Sequence, residues 1–354
     1  MGVVHPALGD HETRIMKASV IVCVYNRGKQ VQACLDSLLA MKRNDFEFVL
    51  VDDGSTDDTA QRLEAFRSEH ADRTITVVHN QRNLGTAGAR NVGLTAAAGE
   101  FVFFTDSDCT VSSDWLGELS DCFDDPTIAA AAGPILTPPP SNLAERAYVE
   151  SSRTRSTKWH QRDVAGGSMG FRREIALALR FDEALTHYCD EDELAWRLRE
   201  EGYRFSFAPE ATVVHHHPLT LRTYLRMGFR QGLGSARFWY KRGKYIGRDL
   251  WAGMLGLLTL PLGLIDARLF GVSATCFALQ LAAIFFNERV LKGKRVAETI
   301  VVLPVCTLFY ICKTCGVLAV WARFCLGKED AVRRSKRLWR ERRRAESPSS
   351  SHAE

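Results

Sequence analysis

The chain has 354 residues, 46% hydrophobic and 25% charged, with a formal net charge of +4. That length allows about two structural units with a full core, and the composition excludes a disordered, collagen-like or disulfide-scaffold chain. The charge divides: residues 1–218 carry 22 Lys and Arg against 33 Asp and Glu, a net −11, whereas residues 219–354 carry 24 against 9, a net +15.

In the acidic half, strand and helix signals alternate. Ala18–Val24 (ASVIVCV) is a continuous β-rich apolar run, the pattern of a strand buried on both faces. Helical spacing over Lys29–Met41 places Val31, Cys34, Leu35, Leu38 and Leu39 on one side. Phe46–Val51 reads as a second strand, stopped by Asp52-Asp53-Gly54. Thr56–His70 reads as a helix with Asp57 and Asp58 at its positive dipole end. Ile75–His79 is a third strand, Ala87–Ala98 a helix, and Glu100–Thr105 a fourth strand. This order predicts an α/β fold, a mostly parallel sheet flanked by helices, with ligands beyond the carboxyl ends of the strands. Those ends carry Tyr25-Asn26, Asp52-Asp53 and Asp106-Ser107-Asp108.

The basic half reads differently. Leu219–Arg248 contains eight Lys and Arg and no acid. Leu221, Leu225, Phe229 and Leu233 recur at one spacing, and Arg222, Arg226 and Arg230 at the same spacing around the helix, which suits an anionic membrane surface. Trp251–Ile265, Leu269–Phe286 and Thr299–Ala322 are apolar stretches, the last interrupted by Lys313. A crossing needs roughly 20 apolar residues, so Leu269–Phe286 is the better candidate and the other two are marginal. Arg289, Lys292, Lys294 and Arg295 and the Arg-rich tail read as cytoplasmic. A cytoplasmic catalytic half then demands an even number of crossings. Ser347–Glu354 reads as disordered. Nothing resembles a signal peptide: residues 1–15 hold His5, Asp10, His11, Glu12 and Arg14 without an apolar run. The ten cysteines, including the lone Cys312–Cys315 pair, are expected to be free thiols.

Asp106 and Asp108, two apart after a strand, can direct one carboxylate to a sugar hydroxyl and the other to a hard divalent cation. Alone that pattern is weak, as is Asp53-Gly54, which is ordinary turn chemistry. The order SVIVCVYNRG, FEFVLVDDGSTDDT, NLGTAGARNVGL, GEFVFFTDSDC is more specific. From about Lys17 to Pro218 the chain resembles the family-2 inverting glycosyltransferases with a GT-A fold, which use nucleotide-sugar donors. The resemblance implies that Tyr25 packs on the base with Asn26 on the same loop, that Asp53 accepts from the base, and that Asp106 holds the ribose. It implies that Asp108 binds Mn²⁺ or Mg²⁺ bridging the diphosphate, with His215 of VVHHHP completing the metal site, and that Arg90 lines the donor pocket. Gly166-Gly167 resembles the family's acceptor-side loop, where glycine permits close backbone approach.

In CDEDELAWRLREEGY, anchoring on Glu193-Leu194 and Arg197 places the family's acidic pair at Asp190-Glu191, in the order opposite to the usual one. The general base for inversion is then Glu191, or Asp192 if the register shifts by one. The implied protein is a single-transfer, metal-dependent enzyme of the cell membrane, its catalytic domain on the cytoplasmic face. Its acceptor would be a lipid-linked or cell-envelope glycan hydroxyl, and no nucleic acid is expected as a partner. The expected units are a catalytic domain (17–218), a basic interfacial helix region (219–248), hydrophobic membrane segments (249–322) and a basic tail (323–354). The alternatives are a processive polysaccharide synthase, for which no Gln-x-x-Arg-Trp block follows residue 200, and a non-catalytic nucleotide-sugar-binding scaffold.

Overall fold

The structure, a computed structural model, describes residues 18–153, 166–185, 188–216, 219–244, 268–286 and 296–346, with positions 164, 254–256, 259 and 266 between them. The chain opens with β1 (Ala18–Val24), α1 (Gly28–Leu39), β2 (Phe46–Asp52), α2 (Thr59–Glu69), β3 (Ile75–His79), α3 (Gly85–Ala96) and β4 (Phe101–Asp106). Next come β5 (Cys109–Val111), α4 (Trp115–Asp121), β6 (Ile128–Ala132), β7 (Ile135–Leu136), α5 (Leu143–Arg153) and β8 (Met169–Arg172). The acidic half ends with α6 (Arg173–Leu179), α7 (Asp190–Glu200), β9 (Arg204–Phe207) and β10 (Val213–His215).

The main sheet has the order β3-β2-β1-β4-β8-β6-β9. Its first four strands are parallel, and β8 runs antiparallel between β4 and β6. Both faces of β1 are buried because its residues alternate between two cores. Val20, Val22 and Val24 pack with Leu35 and Leu38 of α1, while Ile21 packs with Leu94 of α3 and Phe171. That is why the strand reads as continuous β-branched apolar sequence. A small second sheet, β5-β10-β7, brings His215 level with Cys109, one residue after Asp108.

The basic half contributes α8 (Leu221–Lys241), α9 (Arg268–Phe286), α10 (Val296–Cys325) and α11 (Asp330–Glu346). A capping box between Thr220 and Thr223 starts α8. Arg222, Arg226 and Arg230 are exposed, as are Leu221 and Phe229, but Arg237 and Lys241 are buried. Two of the eight cations counted toward a membrane surface are therefore internal ion-pair partners. Between α8 and α10 the backbones touch. A Cβ on Gly232 would run into the Lys313 carbonyl, and one on Gly316 into the Phe229 carbonyl.

The apolar stretches also differ from expectation. Among the described residues, one helix is long and apolar enough to cross a membrane, Thr299–Cys325 of α10, and it runs unbroken through Pro304 and Lys313. The favoured Leu269–Phe286 forms a shorter apolar helix, Gly271–Phe286. Most of Trp251–Ile265, the connector carrying Arg289 to Arg295, and Ser347–Glu354 lie outside the described residues.

The tail is helical as α11 and packs back on the acidic half. Ser335 Oγ donates to Asp182 Oδ2 at 2.7 Å, Arg342 pairs with Glu201 at 3.6 Å, and Trp339 meets Trp196 edge-on at 5.6 Å. All ten cysteines are free.

Candidate functional site

The carboxyl ends of β1, β2 and β4 are adjacent, with Val24 opposite Asp52 and Cys23 opposite Asp106. Tyr25 leaves β1 and is 45% exposed. Asn26 takes a left-handed φ of 51° and clasps the next loop. Its N–H donates to Ser55 Oγ at 3.0 Å and its Oδ1 accepts from Thr56 N at 2.8 Å. Asp53 is buried and accepts from Asn80 Nδ2, Leu84 N and Gly85 N at 2.9, 2.9 and 3.0 Å. It therefore shapes the turn that opens α3, and burial raises its pKa despite those three bonds.

Arg90 on α3 is the centre of the site. Its buried guanidinium reaches Asp190 Oδ2 at 2.7 Å, Asp106 Oδ1 at 3.4 Å and Glu191 Oε2 at 3.6 Å. Three carboxylates from β4 and α7 thus converge on one cation. Burial pushes the Asp190 carboxyl well up; Arg90 opposes that rise and Glu191 adds to it. Burial raises Asp106 likewise. Gly166 and Gly167 pass directly over this group. A Cβ on Gly166 would come to 2.5 Å from Arg90 Nη2, and one on Gly167 to 3.5 Å from Asp106 Oδ2. No larger residue fits at Gly166 without displacing the guanidinium.

Beside this cluster, His215 Nε2 lies 3.1 Å from Asp108 Oδ1, and Arg27 Nη2 lies 3.7 Å from Asp108 Oδ2. Burial alone would lower the His215 pKa; the Asp108 hydrogen bond and the charges of Asp108 and Asp106 outweigh it and raise it. Ligand atoms of Asp108, Cys109 and His215 lie within 4.8 Å of one another. The buried Cys109 thiol is pushed well above its ordinary pKa by desolvation and then by Asp106. The Asp108 carboxylate and the His215 imidazole are donors that fit a divalent cation.

Two consecutive left-handed residues, Tyr188 (φ 56°) and Cys189 (φ 68°), turn the chain into α7. Such backbone strain persists only where surrounding structure holds it. The four acids that follow separate by depth. Asp190 has a side chain 2% exposed and Glu191 one 21% exposed, while Asp192 is intermediate. Glu193 is sealed at 0%, bonded to Arg197 Nη2 at 2.7 Å and paired with Lys241 at 2.5 Å. Sequence reasoning brought together Asp106, Asp108, His215 and the 190–191 pair, but it missed Arg27 and Lys241. Lys241 was detectable in principle, since it shares a helical face with the buried Tyr224, Met227 and Phe238.

The sequence matches the family described as glycosyl transferase family 2 over residues 19–179, and glycosyl transferase family group 2 over residues 101–287. A pre-mycofactocin glycosyltransferase of Mycobacterium tuberculosis is 30% identical over 217 residues, 58% of this chain and 44% of that protein. Glycosyltransferase GlyG of Streptococcus pneumoniae is 36% identical over 101 residues, 28% of this chain and 33% of that protein. The chain thus spans less than half the length of either curated relative. The solved mannosyltransferase PcManGT from Pyrobaculum calidifontis, in complex with GDP-Man and Mn²⁺, superposes with a TM-score of 0.58. It is 23% identical, and the match covers 85% of this chain and 86% of that one, a likeness of fold. With a sheet of this order, carboxylates at its strand ends and two overlapping family matches, the chain belongs to the family-2 glycosyltransferases and has their GT-A fold.

Proposed function

We propose that the chain transfers one sugar, with inversion, from a nucleotide-diphosphate sugar to a hydroxyl acceptor at a membrane surface. The observation that carries this reading is the partly exposed Glu191 beside a buried Arg90–Asp190 pair, at the same sheet edge as Asp106 and Asp108. Tyr25 stacks on the base, and the loop held by Asn26 and Asp53 forms the nucleotide wall. Asp106 faces the ribose. Asp108 and His215 would hold the divalent cation, Mn²⁺ or Mg²⁺. When bound, that cation neutralises the diphosphate and eases its departure. Arg90 fixes Asp190 and so sets where Glu191 sits.

The acceptor approaches under the Gly166–Gly167 loop. Glu191 takes the hydroxyl proton as that oxygen forms its bond to the anomeric carbon, and the bond from that carbon to the diphosphate breaks with its electron pair on the leaving group. Glu191 is preferred to Asp190 because Asp190 is sealed against Arg90. It is preferred to Asp192 because its own carboxylate lies against the Arg90 cluster. We place the catalytic unit at 17–218, with 219–248, 249–322 and 323–354 attaching it to the cytoplasmic face of the membrane. The exposed arginines of α8 and the length of α10 support that attachment.

A panel of nucleotide-sugars with Mn²⁺, offered to detergent-purified full chain, tests the reading. Donor turnover with an inverted anomeric configuration in the product is expected, and retention of configuration would overturn it. Asp108→Ala is expected to abolish Mn²⁺-dependent nucleotide binding; unchanged dependence would remove Asp108 from the metal site.

A further inference from the structure

Asparagine is a weak helix former, and a buried amide without partners is costly. Asn91 nevertheless sits in α3 at 2% exposure, next to Arg90. Its side chain is committed to the short segment between α6 and α7. Oδ1 accepts from Phe181 N at 2.9 Å, and Nδ2 donates to Phe181 O and Glu183 Oε1, both at 2.9 Å. The amide thus grips the Phe181 backbone as a neighbouring strand would, from 90 positions away.

Three other helices hold the same segment. Arg197 of α7 donates to the Leu179 and Arg180 carbonyls at 2.6 and 2.5 Å, capping the end of α6. Asp182 Oδ2 accepts from Lys241 Nζ of α8 at 2.6 Å and from Ser335 Oγ of α11 at 2.7 Å. Its Oδ1 accepts from Ala184 N at 3.0 Å. The Phe181 ring, 2% exposed, meets Phe104 and Phe171 edge-on at 5.6 and 6.2 Å. The Arg90 guanidinium lies over that ring, 5.6 Å from its centroid. Each step from the basic half to Arg90 is therefore a contact. Lys241 and Ser335 reach Asp182, Asp182 is bonded to Phe181, Phe181 meets Arg90, and Arg90 reaches Asp190 at 2.7 Å and Glu191 at 3.6 Å.

We infer that Asn91 and Asp182 are positioning residues for the transfer reaction. Asp182 ties the segment to α8 and α11, Asn91 ties it to α3, and Phe181 between them fixes the guanidinium that places Glu191. Neither residue touches the reacting atoms; both act through Arg90. This deepens the proposed transferase reading and rests on it. A displacement of about 1 Å at a reacting group can cost about 10²-fold in rate, so a small shift of this segment is felt at the site.

Asp182→Asn, Asn91→Ala and Phe181→Leu are made in the full chain, each alone and together with Arg90→Lys. In detergent with Mn²⁺, turnover of UDP-glucose and GDP-mannose, binding of UDP and GDP, and amide hydrogen exchange are measured. Each change alone should lower kcat by about 10–10²-fold, with donor KM and nucleotide binding within about twofold of wild type. Added to Arg90→Lys, the same change should cost less than about threefold, because residues acting through one group are not additive. Asp182→Asn should also speed exchange across α3. Equal losses with and without Arg90→Lys, or a loss carried by KM, would reduce these residues to structural parts and overturn the proposal. Unchanged exchange in α3 would overturn it too. Should Asn91→Ala fail to fold, the isosteric Asp182→Asn decides. Absence of donor turnover in the wild type would sink the transferase reading alone, and exchange in α3 would still report whether Asp182 is coupled to that helix.

Discussion

Four consecutive acids open α7, and they divide into two groups of opposite character. Asp190 and Glu191 turn toward Arg90 and Asp106, where three carboxylates share one guanidinium and burial holds the Asp190 and Asp106 pKa values up. Glu193 turns to Arg197 and Lys241, and Lys241 also binds Asp182 at 2.6 Å. Burial raises the Asp182 pKa, but Lys241 outweighs it and the carboxyl ends below its ordinary value. One group gathers three carboxylates round one guanidinium and is partly open; the other pairs two acids with two cations and is sealed. The comparison teaches that a site differs from a structural ion pair less in which residues it uses than in how its carboxylates are grouped and how far they open to solvent.

The largest expected effect separates the two groups directly. Glu191→Gln should lower transfer by about 10²–10⁴-fold, the usual worth of a general base, while leaving nucleotide binding and the melting temperature unchanged. Equal activity in this variant and the wild type would reassign the base, with Asp192 the next to test. Glu193→Gln should do the reverse. Withdrawing one charge from a sealed group typically costs about 3–5 kcal/mol, read as a lower denaturation midpoint, with turnover per folded molecule largely kept. If Glu193→Gln kept full stability, the sealed group would not be the frame described above.

A smaller effect is expected from Arg90→Lys. It keeps the charge but loses the planar fork that reaches Asp106 and Asp190 together. Turnover should fall with little change in donor affinity, and a pure loss of donor affinity would instead make Arg90 a diphosphate contact.

The smallest effect is a pH dependence of stability. His79 bridges Glu64 at 2.9 Å and Asp52 at 3.2 Å, and the Glu64 bond, opposed by burial and helped by Asp52, raises its pKa. A raised folded pKa means the contribution is fully present below the ordinary value of 6.5 and is lost as pH rises through the folded value. Melting temperatures of wild type and His79→Gln should therefore converge at alkaline pH, and a constant gap would remove the histidine's charge from the account.

Local pattern made much of this legible before any coordinates. β1 and β3 match their expected bounds, Ala18–Val24 and Ile75–His79, because a buried parallel strand writes itself as an unbroken apolar run. α2 begins at Thr59 rather than Thr56 because Asp57 is spent as a clasp. Its carboxylate accepts from Thr59 N at 3.1 Å and Gly28 N at 3.3 Å. The carboxylates at the strand ends were visible for the same local reason. The partners of Arg90 were not, since Asp190 lies 100 positions away and nothing in either segment names the other. Arg237 and Lys241 were misjudged because a run of cations reads alike whether it faces lipid headgroups or, as for Arg237 with Glu329 at 2.9 Å, a buried acid.

The crossing of α8 and α10 at Gly232 and Gly316 has a practical meaning for anyone handling the protein. A membrane anchor on a flexible leash can be cut away to leave a soluble enzyme. Here the basic half supplies Lys241 to Glu193 and Ser335 to Asp182, so it braces the helix that presents Glu191. A fragment ending near residue 218 would leave Glu193 and Asp182 without those cation and hydroxyl partners. The catalytic half is better regarded as the upper storey of a single building than as cargo on a tether.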